Sequence, residues 1–187
     1  DKRDILEIVH SSKGIVVIDE AYADYSSDSC LGLLKKNKNL LIMKTMSKIG
    51  FASLRLGFIL GSKEVISNID KLRLPYNIST FSQLIAYKFF QKPSIINKHI
   101  KEVKIERLDL QNFLETFDQL KVFDSDSNFI LIRLKKAKAL FNFLKKKKII
   151  VKSFFHEKKL SDCLRITIGT PNENKKLKSC IRIFFKK

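Results

Sequence analysis

Three side chains that can do chemistry stand just beyond short apolar runs near the start of the chain. Asp19 directly follows the apolar run 14–18, Tyr22 comes three residues later, and Lys48 follows the run 40–43. Such runs, rich in β-branched residues, are typical of strands buried on both faces. Open α/β sheets bind ligands beyond the carboxyl ends of their strands. The spacing therefore predicts that a carboxylate, a phenol and an amine meet at one edge of a sheet.

Hydroxyl groups and a guanidinium flank this lysine in the sequence. Thr45 and Ser47 precede it, and Arg55 stands at the start of a third apolar run, residues 56–60. Together these groups suit pyridoxal phosphate. A lysine binds that cofactor as a Schiff base, a carboxylate keeps its ring nitrogen protonated, and a phenol contacts its ring oxygen. Hydroxyls and an arginine can hold the phosphate group.

Each of these residues also has a plain structural interpretation. A serine followed by a lysine, as in Ser47-Lys48, is usually a pair on the protein surface. An aspartate at the end of a strand, such as Asp19, commonly caps the next segment through its side-chain oxygen. The order and spacing of the groups, taken together, favour cofactor binding over these separate roles.

The pattern of apolar residues predicts an α/β fold in two parts joined by helices. Short buried strands that alternate with helices or loops are typical of a mostly parallel sheet, which we expect in the first part. A long helical stretch interrupted at Pro93 follows, and a small α+β part ends the chain. Thr170 and Pro171 begin its last helix as N-cap and first helical residue. The predicted strands are 14–18, 40–43, 56–60, 128–134, 149–152 and 163–168, and the predicted helices are 33–36, 62–72, 80–117, 136–147 and one that starts after Thr170.

The chain is strongly basic, with a formal net charge of +18, but the kind of basic residue argues against nucleic-acid binding. Only seven of the 37 basic residues are arginine, the residue that supplies bidentate contacts to bases. Solvated lysine-rich faces explain the charge better, and a nucleic-acid-binding module is the least favoured alternative. No apolar run reaches the roughly 18 residues that span a bilayer. We therefore expect a cytoplasmic chain that binds neither nucleic acid nor membrane.

Cysteine and histidine residues are few and widely spaced. The chain has three of each, with no CxxC motif and no pair at metal-ligand spacing. We expect buried or half-buried thiols in a reducing compartment and no metal site.

Five motifs follow one another along nearly the whole chain. They are Asp19-Glu20-Ala21-Tyr22, Thr45-Met46-Ser47-Lys48 with Arg55-Leu56-Gly57-Phe58, Leu74-Pro75-Tyr76-Asn77, Asn128-Phe129, and Leu164-Arg165-Ile166-Thr167-Ile168-Gly169-Thr170. In this order they resemble the histidinol-phosphate aminotransferases, which are fold-type I enzymes among the class II pyridoxal-phosphate-dependent aminotransferases. The resemblance implies transfer of an amino group between histidinol phosphate and 2-oxoglutarate in histidine biosynthesis, by a homodimer when the chain is complete.

The resemblance also implies a role for each matching residue of the cofactor site. Lys48 resembles the Schiff-base lysine that also carries a proton to and from the substrate. Asp19 resembles the partner of the ring nitrogen, and Tyr22 the donor to the ring oxygen. Ser47 and Arg55, together with Thr45, resemble the phosphate ligands.

Two further residues resemble the substrate-binding groups of the family. Arg165 matches an arginine that clamps the substrate anion, where a planar guanidinium binds two oxygens at once. Lys152 stands where many family members have a second arginine, and it keeps the charge without the fork-shaped donor. Preference for a phosphorylated substrate is therefore implied less firmly by Lys152 than by Arg165.

Members of that family are considerably longer than this chain, which resembles their carboxyl-terminal half. The expected division is the end of a large cofactor-binding domain over residues 1–75, a connector and helical spine over 76–118, and a small α+β domain over 119–187. The front half of the family would supply further cofactor contacts and sheet strands. We therefore expect this chain alone to be at best a poor enzyme.

Three other interpretations fit the same motifs. Threonine-phosphate decarboxylases share most of these motifs and differ by releasing carbon dioxide. Other fold-type I aminotransferases, such as those acting on aromatic amino acids, have similar sites. A non-catalytic remnant that folds only beside a missing half would carry the motifs without a working site.

Overall fold

The computed structural model describes residues 1–186 and divides into two compact units, Asp1–Lys98 and the part that begins at His99. The predicted division at residues 75 and 118 remains a prediction. The first unit contains α1 (Lys2–Ser11), β1 (Val16–Asp19), β2 (Leu40–Thr45), β3 (Gly57–Leu60), α2 (Lys63–Asp70), α3 (Thr80–Phe90) and the start of α4 (Pro93–Glu115). Four short 3-10 helices lie between its strands: Ala23–Tyr25, Leu31–Lys35, Ser47–Ile49 and Ala52–Leu54.

The first unit is built around a three-stranded sheet in the order β1-β2-β3. β1 and β2 run parallel, with Asp19 opposite Met43, so their carboxyl ends lie side by side. β2 and β3 run antiparallel, with Thr45 opposite Gly57. The central strand β2 is apolar at its start, where Leu40 is fully buried. The sheet thus places the turn after β1 next to the turn after β2.

One face of this sheet is only half-buried. Ile15, Val17, Met43 and Ile59 each leave between about a third and a half of their surface exposed, and β1 alternates half-buried with exposed residues. The prediction that the first strand is buried on both faces is therefore wrong for residues 1–186. The physical reason is that the described residues pack on one side of β1, and its other apolar side chains meet solvent.

The second unit contains a four-stranded antiparallel sheet covered by helices. Its elements are β4 (Lys121–Phe123), β5 (Phe129–Arg133), α5 (Ala137–Lys146), β6 (Lys152–Ser153), β7 (Cys163–Thr167) and α6 (Pro171–Phe185), and the strand order is β4-β5-β7-β6. The alternate residues of β5 and β7 that face the helices are buried, and they form one core with α5, α6 and the end of α4. This core includes Ile130, Ile132, Leu164, Ile166, Leu140, Leu144, Leu177, Ile181, Leu110 and Leu114.

The last helix begins as the sequence predicts. The hydroxyl of Thr170 accepts a hydrogen bond from the backbone N–H of Glu173, and the Glu173 carboxylate accepts one from the backbone N–H of Thr170. This is a capping box, which satisfies two donors that a helix start leaves without partners. The bonds from Thr170 lower the pKa of Glu173. Pro171 occupies the first turn, also as predicted.

Most predicted elements are present, and the departures are two unpredicted elements, one shortened strand and one short helix of a different type. α1 and β4 were not predicted, because α1 is highly charged and β4 has only three residues. The strand predicted at 149–152 is wrong over residues 149–151, since β6 comprises only Lys152–Ser153. The predicted helix 33–36 is the 3-10 helix Leu31–Lys35.

The described residues also bear on the cysteines, on metals and on membranes. Cys30, Cys163 and Cys180 are buried free thiols, as predicted. Within residues 1–186, no group of three potential metal ligands comes together. No helix in this part of the chain combines the length and the apolar character that a membrane span requires.

Two isoleucines of the second unit differ strongly in burial, so we expect their replacement to have different effects on stability. Ile130 is fully buried in β5, whereas Ile150 is 82% exposed. We expect Ile130→Ala to lower the free energy of unfolding by about 2–5 kcal/mol, because it removes buried methyl groups and leaves a cavity. Ile150→Ala makes the same chemical change at the surface and should alter it by less than about 0.5 kcal/mol. Urea unfolding of both variants measures this, and equal losses would contradict the assigned core.

Candidate functional site

Lys48 lies in a tight turn that directly follows β2. It is the middle residue of the 3-10 helix Ser47–Ile49, and it is half-buried. Gly50 ends the turn with a φ of 104°, a backbone conformation that is strained for residues with a side chain. The backbone N–H of Phe51 then returns to the carbonyl of Met46 over 3.1 Å. These local constraints fix the direction in which the lysine leaves the sheet.

Two tyrosines that follow β1 contact Lys48. They are Tyr22 and Tyr25, the last residue of the 3-10 helix Ala23–Tyr25. The Lys48 ammonium nitrogen lies 5.2 Å from the centroid of the Tyr22 ring, within the range of a cation–π contact. The Tyr25 hydroxyl donates a hydrogen bond of 2.6 Å to the Lys48 carbonyl. The structure therefore brings the predicted residues Tyr22 and Lys48 together. Tyr25 was missed, because nothing in the sequence distinguishes this aromatic residue from one that only packs in a core.

Asp19 is the last residue of β1 and is exposed. Its carboxylate accepts a hydrogen bond from the backbone N–H of Ala21 over 2.9 Å, which stabilises the turn after the strand. Asp19 thus makes the capping contact that its plain structural interpretation predicts. It also lies at the end of β1, where a cofactor ligand would have to lie. Its role toward a ligand stays a prediction.

Two of the three predicted phosphate ligands, Thr45 and Ser47, lie at the end of β2 and in the turn that follows it. The Thr45 hydroxyl accepts from the backbone N–H of Ser47 over 3.0 Å and donates to the carbonyl of Leu56 over 3.3 Å. Thr45 therefore shapes the turn that carries Ser47, which is half-buried. The backbone N–H of Met46 also bonds the carbonyl of Leu56. This pairing joins the turn that carries Ser47 to the segment that carries Arg55.

Arg55 is exposed and has a backbone φ of 52°. Few residues other than glycine adopt this left-handed conformation, which costs of order 1–3 kcal/mol when the surroundings impose it. Such strain is found more often at ligand sites than elsewhere, so it is consistent with a binding role for Arg55. The role itself stays a prediction.

A buried carboxylate that the sequence analysis did not identify fastens the loop after β1 to β2. Glu20 is 5% exposed, and it accepts hydrogen bonds from the Ser29 hydroxyl over 2.8 Å and from the backbone N–H of Cys30. The Lys44 ammonium lies 3.7 Å from Glu20 and 3.0 Å from Asp24. Burial raises the pKa of the Cys30 thiol, and the Glu20 charge raises it further. The position of Glu20 next to Asp19 was the only available sign of this role.

Arg165 and Lys152 form a cationic pair on the second unit. They are directly opposite each other on β7 and β6, so both side chains stand on the sheet face that is turned away from the core. The Arg165 guanidinium lies 4.9 Å from the centroid of the Phe129 ring. Its Nε is buried and, among residues 1–186, has no hydrogen-bond partner. A buried donor without a partner is costly, and a shift of the Arg165 side chain toward a bound anion would satisfy it.

Comparison with known proteins identifies the family of this chain. The family description "Aminotransferase class I and II" matches residues 1–181. The histidinol-phosphate aminotransferase of Vesicomyosocius okutanii is 40% identical over 184 residues, which is 98% of this chain. The chain belongs to the aminotransferase class I and II family. It spans about half the length of the curated relatives it matches, 52% in the Vesicomyosocius okutanii case.

Solved structures show that the chain has the fold-type I aminotransferase fold. The histidinol-phosphate aminotransferase of Clostridium acetobutylicum superimposes with a TM-score of 0.85 at 24% identity, over 96% of this chain and 57% of that one. The L-threonine-O-3-phosphate decarboxylase of Porphyromonas gingivalis gives a TM-score of 0.84 at 22% identity, over all of this chain and 60% of that one. Because the two scores are nearly equal, the fold of this aminotransferase-family chain does not decide between transamination and decarboxylation.

The Glu20 network predicts unequal effects for two lysines that form ion pairs. We expect Lys44→Met to lower the free energy of unfolding by about 1–3 kcal/mol, because it leaves the buried Glu20 carboxylate without its cation. Lys2→Met removes an exposed ion pair with Asp28 and should cost less than about 0.5 kcal/mol. Urea unfolding at pH 7 compares them, and a loss for Lys44→Met as small as that for Lys2→Met would show that the network does not fasten the loop.

Proposed function

We propose that this chain supplies the lysine side of a pyridoxal phosphate site in an aminotransferase that acts on histidinol phosphate and 2-oxoglutarate. The observation that carries the proposal is the placement of Lys48 beside the Tyr22 ring, at the point where the parallel strands β1 and β2 end. These residues were selected from the sequence for their chemistry, and they meet where α/β sheets bind ligands. The 40% identity to a histidinol-phosphate aminotransferase supports the choice of substrate.

The donor set fits pyridoxal phosphate. Lys48 would bind the cofactor covalently, Asp19 would face its ring nitrogen, and Tyr22 would donate to its ring oxygen. Ser47 and Arg55 would hold the phosphate, with Thr45 acting by shaping the turn that carries Ser47. Once bound, pyridoxal phosphate supplies an electron sink for the negative charge that develops on the substrate carbon.

The side chains of this chain would perform the remaining steps of the proposed reaction. The Lys48 amine would act as the base that removes a proton from the substrate carbon and as the acid that gives the proton back. The Asp19 carboxylate would stabilise a positive charge on the ring nitrogen of the cofactor by ion pairing. The Tyr22 ring beside the lysine restricts where the amine can reach, which shortens the search for a reactive geometry.

The substrate anion would be held by Arg165 and Lys152. A phosphorylated substrate has several oxygens and two negative charges, which suits two neighbouring cations better than one. The unpartnered Arg165 Nε would gain a hydrogen bond on binding. Lys152 would contribute charge without bidentate geometry, since an ammonium is a point charge.

The complete enzyme would be a homodimer in the cytoplasm, and this chain alone would have little activity. The half-buried face of the β1-β2-β3 sheet supports the second part of this proposal, because such an apolar surface normally packs against further structure. Two alternatives have the same motifs. A threonine-phosphate decarboxylase would release carbon dioxide from its substrate, and a non-catalytic remnant would bind no cofactor.

Covalent labelling tests whether Lys48 holds the cofactor. The chain is mixed with pyridoxal phosphate, reduced with borohydride and mapped by mass spectrometry, with and without a separately expressed front half from a close relative. We expect one pyridoxyl group on Lys48 that strengthens when the front half is added, because the other cofactor contacts then become available. Lys48→Arg should remove the label, and Lys63→Arg, an exposed control at the start of α2, should not.

The same labelling experiment separates the alternatives. Label scattered over many lysines in both conditions would mean that no site forms, which favours the remnant. Label on Lys48 with carbon dioxide release from threonine phosphate, and with no transfer of the amino group to 2-oxoglutarate, would favour the decarboxylase.

Substitutions at the cationic pair test the substrate assignment. In the complex with the front half, we expect Arg165→Gln to raise KM for histidinol phosphate about 10- to 100-fold, because a charge-assisted hydrogen bond contributes about 1.5–3 kcal/mol. Lys152→Arg should lower KM several-fold, because a planar guanidinium can bind two oxygens of the substrate anion at once. Lys145→Gln, which removes an exposed charge on α5, serves as the control. A KM for Arg165→Gln close to that of Lys145→Gln would contradict the anion clamp.

A further inference from the structure

The short segment after β1 contacts Lys48 at two points. Tyr22, just before the 3-10 helix Ala23–Tyr25, contacts the ammonium end of the lysine, and Tyr25, the last residue of that helix, contacts the lysine main chain. The amine proposed to bind the cofactor and its backbone are therefore restrained by the same segment. The proposed roles of Lys48 and Tyr22 explain the contact between them, but they do not explain the contact with Tyr25.

Tyr25 is a well-defined hydrogen-bond donor. Its side chain is 1% exposed, and its hydroxyl oxygen lies 2.6 Å from the Lys48 carbonyl oxygen. Burial raises the pKa of Tyr25, and the neighbouring charge of Asp24 raises it further, so the phenol keeps its proton. A protonated phenol facing a carbonyl can act only as the donor in that bond.

We propose that Tyr25 is a positioning residue for Lys48: its hydroxyl anchors the Lys48 main chain so that the amine stays over the Tyr22 ring. This proposal deepens the proposed function and rests on the assigned role of Lys48. Tyr25 touches neither substrate nor cofactor in this scheme and acts through the lysine.

The local backbone explains why an anchor is needed. Lys48 sits in a 3-10 helix of only three residues, and Gly50 then turns the chain away in a left-handed conformation. So short a helix has few internal hydrogen bonds to hold its geometry. A lysine side chain is long and flexible, so any freedom of its main chain is enlarged at its amine. The hydrogen bond from Tyr25 to the Lys48 carbonyl limits this freedom of the main chain.

Reductive methylation with formaldehyde and cyanoborohydride tests the proposal without cofactor. The rate at which Lys48 is methylated, relative to exposed Lys63, is measured on the folded chain by mass spectrometry. Tyr25→Phe keeps the ring and removes the hydroxyl. We expect it to speed Lys48 methylation about three- to tenfold, the change that corresponds to losing one ordinary hydrogen bond, while Lys63 is unaffected.

Two further variants separate positioning from stability. Replacing Tyr25 with p-aminophenylalanine restores a donor and should return the Lys48 rate to within twofold of the original. p-Methylphenylalanine fills the same volume without a donor and should behave like Tyr25→Phe. Tyr87→Phe removes the hydroxyl of an exposed tyrosine on α3 and should change nothing.

Each remaining outcome is decisive. A Lys48 rate in Tyr25→Phe within twofold of the original, or no rescue by p-aminophenylalanine, overturns the proposal. Unfolding of both variants that lack a donor assigns the hydroxyl to fold stability and overturns it as well. The pyridoxyl-labelling experiment tests the cofactor role separately. If Lys48 of the unsubstituted chain takes no label, the cofactor role is wrong, but the methylation rates still report whether Tyr25 anchors the lysine.

Discussion

The parallel pairing of β1 and β2 is the constraint on which the rest of the first unit depends. In a parallel pair both carboxyl ends lie at the same edge, so the turn after β1 and the turn after β2 must share space. Tyr22 and Lys48 are 26 residues apart in sequence and meet because of this geometry. An antiparallel arrangement of the same strands would place the two turns at opposite edges.

A pair of strands alone would leave those turns free, and side-chain chemistry restrains them. The Glu20 carboxylate binds the loop at Ser29 and Cys30 and approaches Lys44 on β2. Because Glu20 is buried, its charge is costly unless all of these partners are present, so the network favours one loop conformation. The loop that carries Tyr22 is thus fixed by a residue that contributes no atom to the proposed cofactor contacts.

The sequence predicted that Lys48 and Tyr22 meet, but it did not predict the residues that hold them in place. Strand runs, the Thr170 capping box and the pairing of Lys48 with Tyr22 could be predicted, because apolar periodicity and residue type report on them directly. The roles of Glu20 and Tyr25 could not, since each depends on a partner distant in the sequence that only the folded chain brings near. The exposed face of β1 was also unpredictable, because an apolar run indicates that a strand is buried without indicating what buries it.

Fold similarity leaves the type of reaction open, and the substrate-binding groups must decide it. Lys48, Asp19 and Tyr22 would serve transamination and decarboxylation equally, because both need a bound cofactor that withdraws electrons. The difference lies in which substrate bond is held ready to break, and the anion-binding groups set that orientation. In this chain the groups proposed for that role are Arg165, whose guanidinium lies over the Phe129 ring, and Lys152 opposite it. Specificity would therefore depend chiefly on the rigid guanidinium, with the lysine adding attraction for charge but little control of direction.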